Sequence, residues 1–264
     1  MKVIVIVNQK GGVGKTAIAA ALATERAKTH PITMIDLDPQ ASLTGWSFGM
    51  LPATEISQSY RKLSRVNTMT FLRGQTSFES SQIKLSDNLN IIGANTELTN
   101  FRNEFEDYAG KELILKSLLE EVREDKNVTQ CDILIDTPGD LSLNSILGLA
   151  SANTCVIPVS TSIFGVDALG STLQRIGQVQ KMLNPNLRKI TVVPSLHRKS
   201  RNSNKVTLQI LSDGYGELLA RDSADHPIII EDRAEMERFL HSHEALPKGV
   251  LKKSIVELIR GLYE

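Results

Sequence analysis

Val3-Ile4-Val5-Ile6-Val7, then Asn8-Gln9-Lys10-Gly11-Gly12-Val13-Gly14-Lys15-Thr16, is the stretch from which the architecture follows. Five consecutive β-branched apolar residues make a strand covered on both faces, as in a parallel sheet. The glycine run after it ends in Gly14-Lys15-Thr16, with Asn8 and Gln9 just upstream, and reads as a phosphate loop of the G-x-x-x-x-G-K-[ST] type. Small residues let successive backbone N–H groups turn inward around phosphate oxygens. The Ala-rich segment from Lys15 to Lys28 reads as a helix, and its N-terminus adds the positive end of its dipole. Lys15 is placed to reach β- and γ-phosphates and the Thr16 hydroxyl to ligate Mg²⁺. A plain glycine turn leaves Lys15-Thr16 at the helix start unaccounted for.

Working outward, the same buried-strand signature recurs at Ile32–Leu37, Leu89–Ile92, Ile133–Ile135, Thr154–Val159, Ile190–Val193 and Ile228–Ile230. Helical periodicity falls between most of these runs, at Lys111–Lys126, Gly165–Leu183, Ser203–Leu219 and Ile230–Leu240. Strands alternating with helices predict an α/β fold, a mostly parallel doubly wound sheet flanked by helices. No Pro/Gly/Ser-rich linker divides the 264 residues, so residues 1–264 are expected to form one domain. With the first strand opening the chain, no separate N-terminal DNA-reading module is expected. The stretch from Trp46 to Asn88 has weak periodicity and is the least readable.

Composition narrows the classes. The chain is 41% hydrophobic and 23% charged, which excludes a disordered or fibrous protein. Lys+Arg and Asp+Glu are each 30, so there is no global basic field and any nucleic-acid site must be a local patch. Two cysteines, Cys131 and Cys155, form no CxxC pair and no disulfide scaffold; they read as buried thiols in a reducing cytosol. The five-residue apolar start is too short for a signal peptide or a membrane span.

Lys10-Gly11-Gly12-Val13-Gly14-Lys15-Thr16 resembles the deviant Walker A motif of the ParA/MinD group of P-loop ATPases. Met34-Ile35-Asp36-Leu37-Asp38-Pro39-Gln40 resembles the group's second acidic motif, and Ile133-Leu134-Ile135-Asp136-Thr137-Pro138-Gly139 its Walker B strand and switch loop. The resemblance extends over nearly the whole chain, including Phe71-Leu72-Arg73-Gly74, Asn88–Asn95 and Pro158–Thr161, and favours the ParA branch. It implies ATP and Mg²⁺ as ligands, bound by Lys10, Gly11, Gly12, Val13, Gly14, Lys15, Thr16 and Ala17, with Pro194 shaping the adenine pocket. It implies that Lys10 reaches across a dimer to the partner's ATP. Asp136 and Thr16 would hold the metal, with Asp36 supporting its shell, and Asp38 would orient the attacking water. Lys10, Lys15 and Asp38 are then the catalytic set. No strong general base is present, so slow hydrolysis is expected. Ala17 departs from the pattern: the family commonly has Thr or Ser there, and one hydrogen bond to the α-phosphate is lost.

The charge is unevenly distributed. From Ala168 to Ser212 there are eight Lys/Arg and no Asp or Glu; from Asp213 to Glu244 there are nine acids and three Lys/Arg. Arg188, Lys189, Arg198, Lys199, Arg201 and Lys205 are the candidate DNA contacts, reading phosphates rather than sequence. The amphipathic segment Val250–Tyr263 reads as a helix packed on the body, because Glu257 and Glu264 interrupt its basic face and Tyr263 is its only aromatic residue.

The resemblance therefore implies a cytoplasmic, nucleoid-associated ATPase of plasmid or chromosome partition. Its ATP-bound homodimer would bind double-stranded DNA non-specifically, and a ParB-like centromere-binding partner, bearing an arginine in its N-terminal tail, would stimulate turnover. The alternatives are a MinD-like membrane-cycling ATPase and a ParA-like ATPase that positions another cargo. An iron–sulfur reductase of this fold would need cysteines in loops at the dimer seam. A dethiobiotin synthetase-like ligase would not explain Lys10 together with Asp36 and Asp38.

Overall fold

The computed structural model describes residues 1–126, 130–198, 201–231, 234–243, 246 and 249–263. Seven strands, β1 (Val3–Ile6), β2 (Ile32–Asp36), β3 (Ile83–Ser86), β4 (Leu89–Ile92), β5 (Asp132–Asp136), β6 (Thr154–Ser160) and β7 (Lys189–Ser195), form one sheet in the order β3-β4-β2-β5-β1-β6-β7. Every pairing is parallel except β3 with β4. The helices are α1 (Lys15–Arg26), α2 (Ser42–Phe48), α3 (Ala53–Leu63), α4 (Thr68–Leu72), α5 (Phe78–Ser81), α6 (Phe101–Glu104), α7 (Ile114–Glu124), α8 (Leu143–Ser151), α9 (Ile163–Met182), α10 (Asn202–Tyr215), α11 (Ala234–Ser242) and α12 (Val250–Tyr263).

Side chains alternate across each strand, and here both faces are covered. Val3, Val5, Ile133 and Ile135 join the core beneath α7, α8 and α9, with Leu119, Leu147 and Leu169. Ile4, Ile6, Met34 and Leu134 join the core beneath α1, α2, α11 and α12, with Ile18, Trp46, Phe239 and Leu258. That two-sided burial is why the central strands are uninterrupted apolar runs in the sequence. β1 lies between β5 and β6; the chain leaves β1 toward β2 on one side and leaves β5 toward β6 on the other, and the turn after β1 opens at the carboxyl edge where such sheets bind ligands.

Three local readings are corrected. Ile228–Ile230 is not a strand; Ile228 donates to the Ala220 carbonyl and Ile230 to the Pro194 carbonyl, each at 2.8 Å, in isolated bridges. Ile228 and Ile230 are apolar because they fill the core, not because they continue a ladder. The helix expected at Ile230–Leu240 is α11, four residues later. The weakly periodic stretch holds the end of α2, then α3 to α5 and β3, and α8 adds a helix no periodicity announced.

The C-terminal helix packs as expected. Leu251, Ile255, Leu258 and Leu262 are buried. Lys2 and Lys189 donate to its last carbonyls, those of Leu262 and Gly261, and the Arg26 guanidinium lies 3.8 Å from the Tyr263 ring centroid. Cations at a helix C-terminus face the negative end of its dipole. No helix among the described residues is long and apolar enough to cross a membrane.

Candidate nucleotide-binding site

The turn between β1 and α1 adopts a conformation its glycines permit. Gly12 and Gly14 have φ of +72° and +89°, the left-handed region that L side chains rarely enter. The loop is anchored from both sides. The Asn8 amide donates to the Pro158 carbonyl at 2.6 Å and its Oδ1 accepts the Lys10 N–H at 2.9 Å. Ser195 Oγ donates to the Val13 carbonyl at 2.8 Å, and Ser171 Oγ to Gln9 Oε1 at 2.9 Å. The Thr137–Gly139 turn comes close: a Cβ on Gly139 would lie 3.3 Å from the Gly11 Cα and 3.7 Å from Lys15 Nζ.

The charges converge on this loop. Lys15 is buried and its Nζ lies 3.4 Å from the Lys10 carbonyl. Burial lowers its pKa, opposed by Asp136, Asp38 and Asp140. Thr16 Oγ1 donates to Asp136 Oδ2 at 2.7 Å. Asp136 is wholly buried, and its Oδ1 has no hydrogen-bond partner among the described residues. Its pKa is pushed up to about 8, first by burial and then by Asp36, its partner across the β2–β5 ladder.

Asp36 is differently placed from a metal ligand with an oxygen to offer. Its Oδ2 accepts the Thr44 N–H at 2.9 Å and hydroxyl at 2.7 Å, and its Oδ1 accepts the Asp38 N–H at 3.0 Å. It braces the turn from β2 into α2. Asp38 lines the cavity, and its Oδ1 accepts the Gln40 N–H at 2.9 Å.

A cavity of about 650 Å³ opens over the loop. Gly11 to Ile18 and Asp38 line one side, so Ala17 presents a methyl where a hydroxyl was expected. Trp46, Ser195, Leu196, Ile230, Met236 and Leu240 make an apolar extension, with Glu231 and Glu237 at its wall. Pro194 is not among the lining residues; it is buried, and its carbonyl is taken by Ile230. The neighbouring Ser195 and Leu196 stand in the place expected of it. This far wall was invisible in the sequence because it gathers single residues from α2, β7 and α11. The one signal for it is that Ser195 and Leu196 follow a strand at its carboxyl end.

Lys10 stands at the rim, its Nζ 5.6 Å from the centroid of the Phe164 ring. Phe164 and Ile163, 72% and 56% exposed, form an apolar spot beside it. The candidate DNA contacts do not form one patch. Arg198, Arg201 and Lys205 lie at the carboxyl end of β7 and in the first turn of α10, on the cavity's edge of the sheet. Arg188 and Lys189 lie at the other end of the seven-residue β7, about 20 Å away at ~3.3 Å per residue. Lys189 is spent on α12. Lys199 lies outside the described residues. Cys131 and Cys155 are both buried, and burial raises both thiol pKa values.

A family model described as an AAA domain matches residues 1–189. The chromosome-partitioning ATPase Soj of Treponema pallidum (strain Nichols) is 31% identical over 187 residues, 70% of this chain and 68% of its own. A putative plasmid partition protein from Borrelia burgdorferi B31, solved bound to AMPPNP, superposes with a TM-score of 0.79 at 22% identity, covering 99% of this chain and 98% of that one. Apo McdA from Cyanthece superposes at 0.82 and 19% identity, covering 99% of each chain. At such identities these two structures share the fold.

Proposed function

The chain belongs to the ParA/Soj family of partition ATPases, and from that premise we propose that it is an ATP-driven DNA-holding switch. In this reading it binds ATP with Mg²⁺, closes into a homodimer and holds double-stranded DNA without reading sequence. It hydrolyses ATP slowly until a ParB-like centromere-binding partner stimulates it, and works in the cytoplasm on the nucleoid. The observation that carries the reading is that Lys15, Thr16 and Asp38 line one cavity, with Asp136 buried behind the Thr16 hydroxyl and Lys10 next to the loop residues that line it.

The residues fit the ligands. A wholly buried carboxylate oxygen with no partner among the described residues, beside a threonine hydroxyl, is a hard-oxygen donor set suited to Mg²⁺. Mg²⁺, when bound, neutralises charge on β- and γ-phosphate oxygens. The chain's own residues do the rest. Backbone N–H groups of Gly11 to Lys15 orient the phosphates, and the Lys15 ammonium, whose charge Asp136, Asp38 and Asp140 favour against the cost of burial, binds phosphate oxygens. Asp38 holds the attacking water. Lys10 serves the partner protomer's phosphates from the exposed rim beside Phe164. Phosphoryl transfer to water is achieved by positioning and electrostatics, and a weakly basic carboxylate suits a slow intrinsic rate.

The test is retention on a random-sequence duplex and, separately, on anionic liposomes, with ATP, ADP or no nucleotide in Mg²⁺. DNA retention with ATP alone, weakening as salt rises, is the expected result. Retention on liposomes without DNA binding would overturn it in favour of a membrane cycle. The covered apolar face of α12 argues against that outcome.

A further inference from the structure

We propose that Ser195 is a positioning residue for the phosphate loop, and that through Thr161 and Asn204 it couples the grip on phosphate to the basic start of α10. The inference rests on the nucleotide reading above and deepens it.

The argument starts with one peptide plane. In a trans peptide the C=O and the following N–H point in opposite directions. Ser195 Oγ draws the Val13 carbonyl toward β7 at 2.8 Å, in a site where Ser195 is 1% exposed. The Gly14 N–H of the same plane is thereby turned away from β7. Gly14, at φ +89°, has the rotational freedom to lose that orientation, and no side chain of its own to restore it. A buried hydroxyl on a strand end, rather than the loop itself, therefore sets one of the donors a phosphate would meet.

Ser195 is itself held. Its carbonyl accepts the Thr161 N–H at 3.1 Å. Thr161, 2% exposed, presents its carbonyl and hydroxyl oxygens to the Asn204 amide at 2.5 and 2.6 Å. Asn204 is buried in the first turn of α10, between Arg201 and Lys205, and does not line the cavity. An unbroken run of hydrogen bonds thus joins Val13 to the helix end that carries exposed cations. Coupling between two sites is reciprocal: if phosphate steadies Ser195, whatever displaces α10 loosens phosphate by the same factor.

The experiment is titration calorimetry of the full chain with MgADP, alongside thermal unfolding of the nucleotide-free protein. Loss of one buried neutral hydrogen bond corresponds to about a 2- to 10-fold weakening, and that is expected for Ser195→Ala. Ser195→Thr keeps the hydroxyl and is expected within twofold of wild type. Asn204→Ala is expected to weaken ADP as well, although it touches no cavity surface. The double variant Ser195→Ala/Asn204→Ala is expected to be no weaker than Ser195→Ala alone, since both act through one bond. If Ser195 contacted ADP directly and independently of α10, the two effects would multiply, which would overturn the coupling. Unchanged affinity in Asn204→Ala, with wild type binding ADP, would overturn it too, even should the Ser195 variants fail to fold. A wild-type chain that binds no ADP would overturn the nucleotide reading and this inference together.

Discussion

Two residues of the candidate site carry opposite lessons. Ala17 is the one place where the loop offers less than its family, and it lines the cavity. Ala17→Thr is expected to tighten MgATP binding by about 2- to 10-fold, the worth of one hydrogen bond; equal affinities by titration would show that nothing polar is missed there. Asp136 carries a buried carboxyl whose charged form the fold disfavours. Its folded pKa is raised to about 8, by burial and by Asp36, against about 3.9 for an unperturbed Asp. A carboxyl raised in the folded state contributes its full stability below the unfolded pKa and loses it as pH climbs through the folded one. Asp136→Asn removes that loss. In EDTA, its melting temperature is expected to exceed wild type at pH 8.5, with the gap narrowing toward pH 6. A gap that does not change with pH would mean that Asp136 is not strained by its charge. With MgATP present the order is expected to reverse, because the variant lacks the metal's carboxylate.

At the scale of elements, the corner between β6 and α9 is built on a missing side chain. A Cβ on Gly165 would lie 2.2 Å from the Ser160 carbonyl oxygen and 2.7 Å from its hydroxyl. Gly165→Ala is expected to cost about 1–3 kcal/mol of stability, as overpacking does, measured by urea denaturation; a cost below ~0.5 kcal/mol would mean the corner relaxes freely. The same elements show what the sequence could and could not disclose. β1, β2, β4, β5, β6 and β7 were legible because burial demands mostly apolar runs, even where Asn90 and Thr191 interrupt them. β3 was not, being four residues long with Lys84 and Ser86 exposed. α8 was not, because Asn144, Ser145, Leu147, Gly148, Leu149 and Ala150 are all buried and leave too little of a polar face to mark a helical period. Ile228–Ile230 misled for the converse reason: core burial mimics strand burial when the run is short. In the site, the glycine loop and the two strand-end aspartates were legible because phosphate and metal chemistry prescribe residue types at fixed spacing. Trp46, Ser195 and Leu240 were not, because an apolar wall prescribes only shape.

Seen whole, the sheet has an edge that carries the cavity and an opposite edge, and the candidate DNA contacts are divided between them. Arg198, Arg201 and Lys205 share the cavity's edge; Arg188 and Lys189 do not. Replacing the first three by Ala is expected to weaken ATP-dependent DNA binding at least 10-fold and to flatten its dependence on log salt by about 2–3 units. Replacing Arg188 and Lys189 is expected to leave both within twofold. Equal losses from the two sets, read by fluorescence anisotropy, would place DNA along the length of β7 instead. The opposite edge has another use. Lys2 reaches the Leu262 carbonyl, so residues 2 and 262 meet there, at the amino end of β1 and away from the phosphate loop at its carboxyl end. Meeting termini tolerate being joined. A short linker from Glu264 to Met1, with new ends opened in an exposed loop, would give a circular permutant of these 264 residues with the phosphate loop untouched.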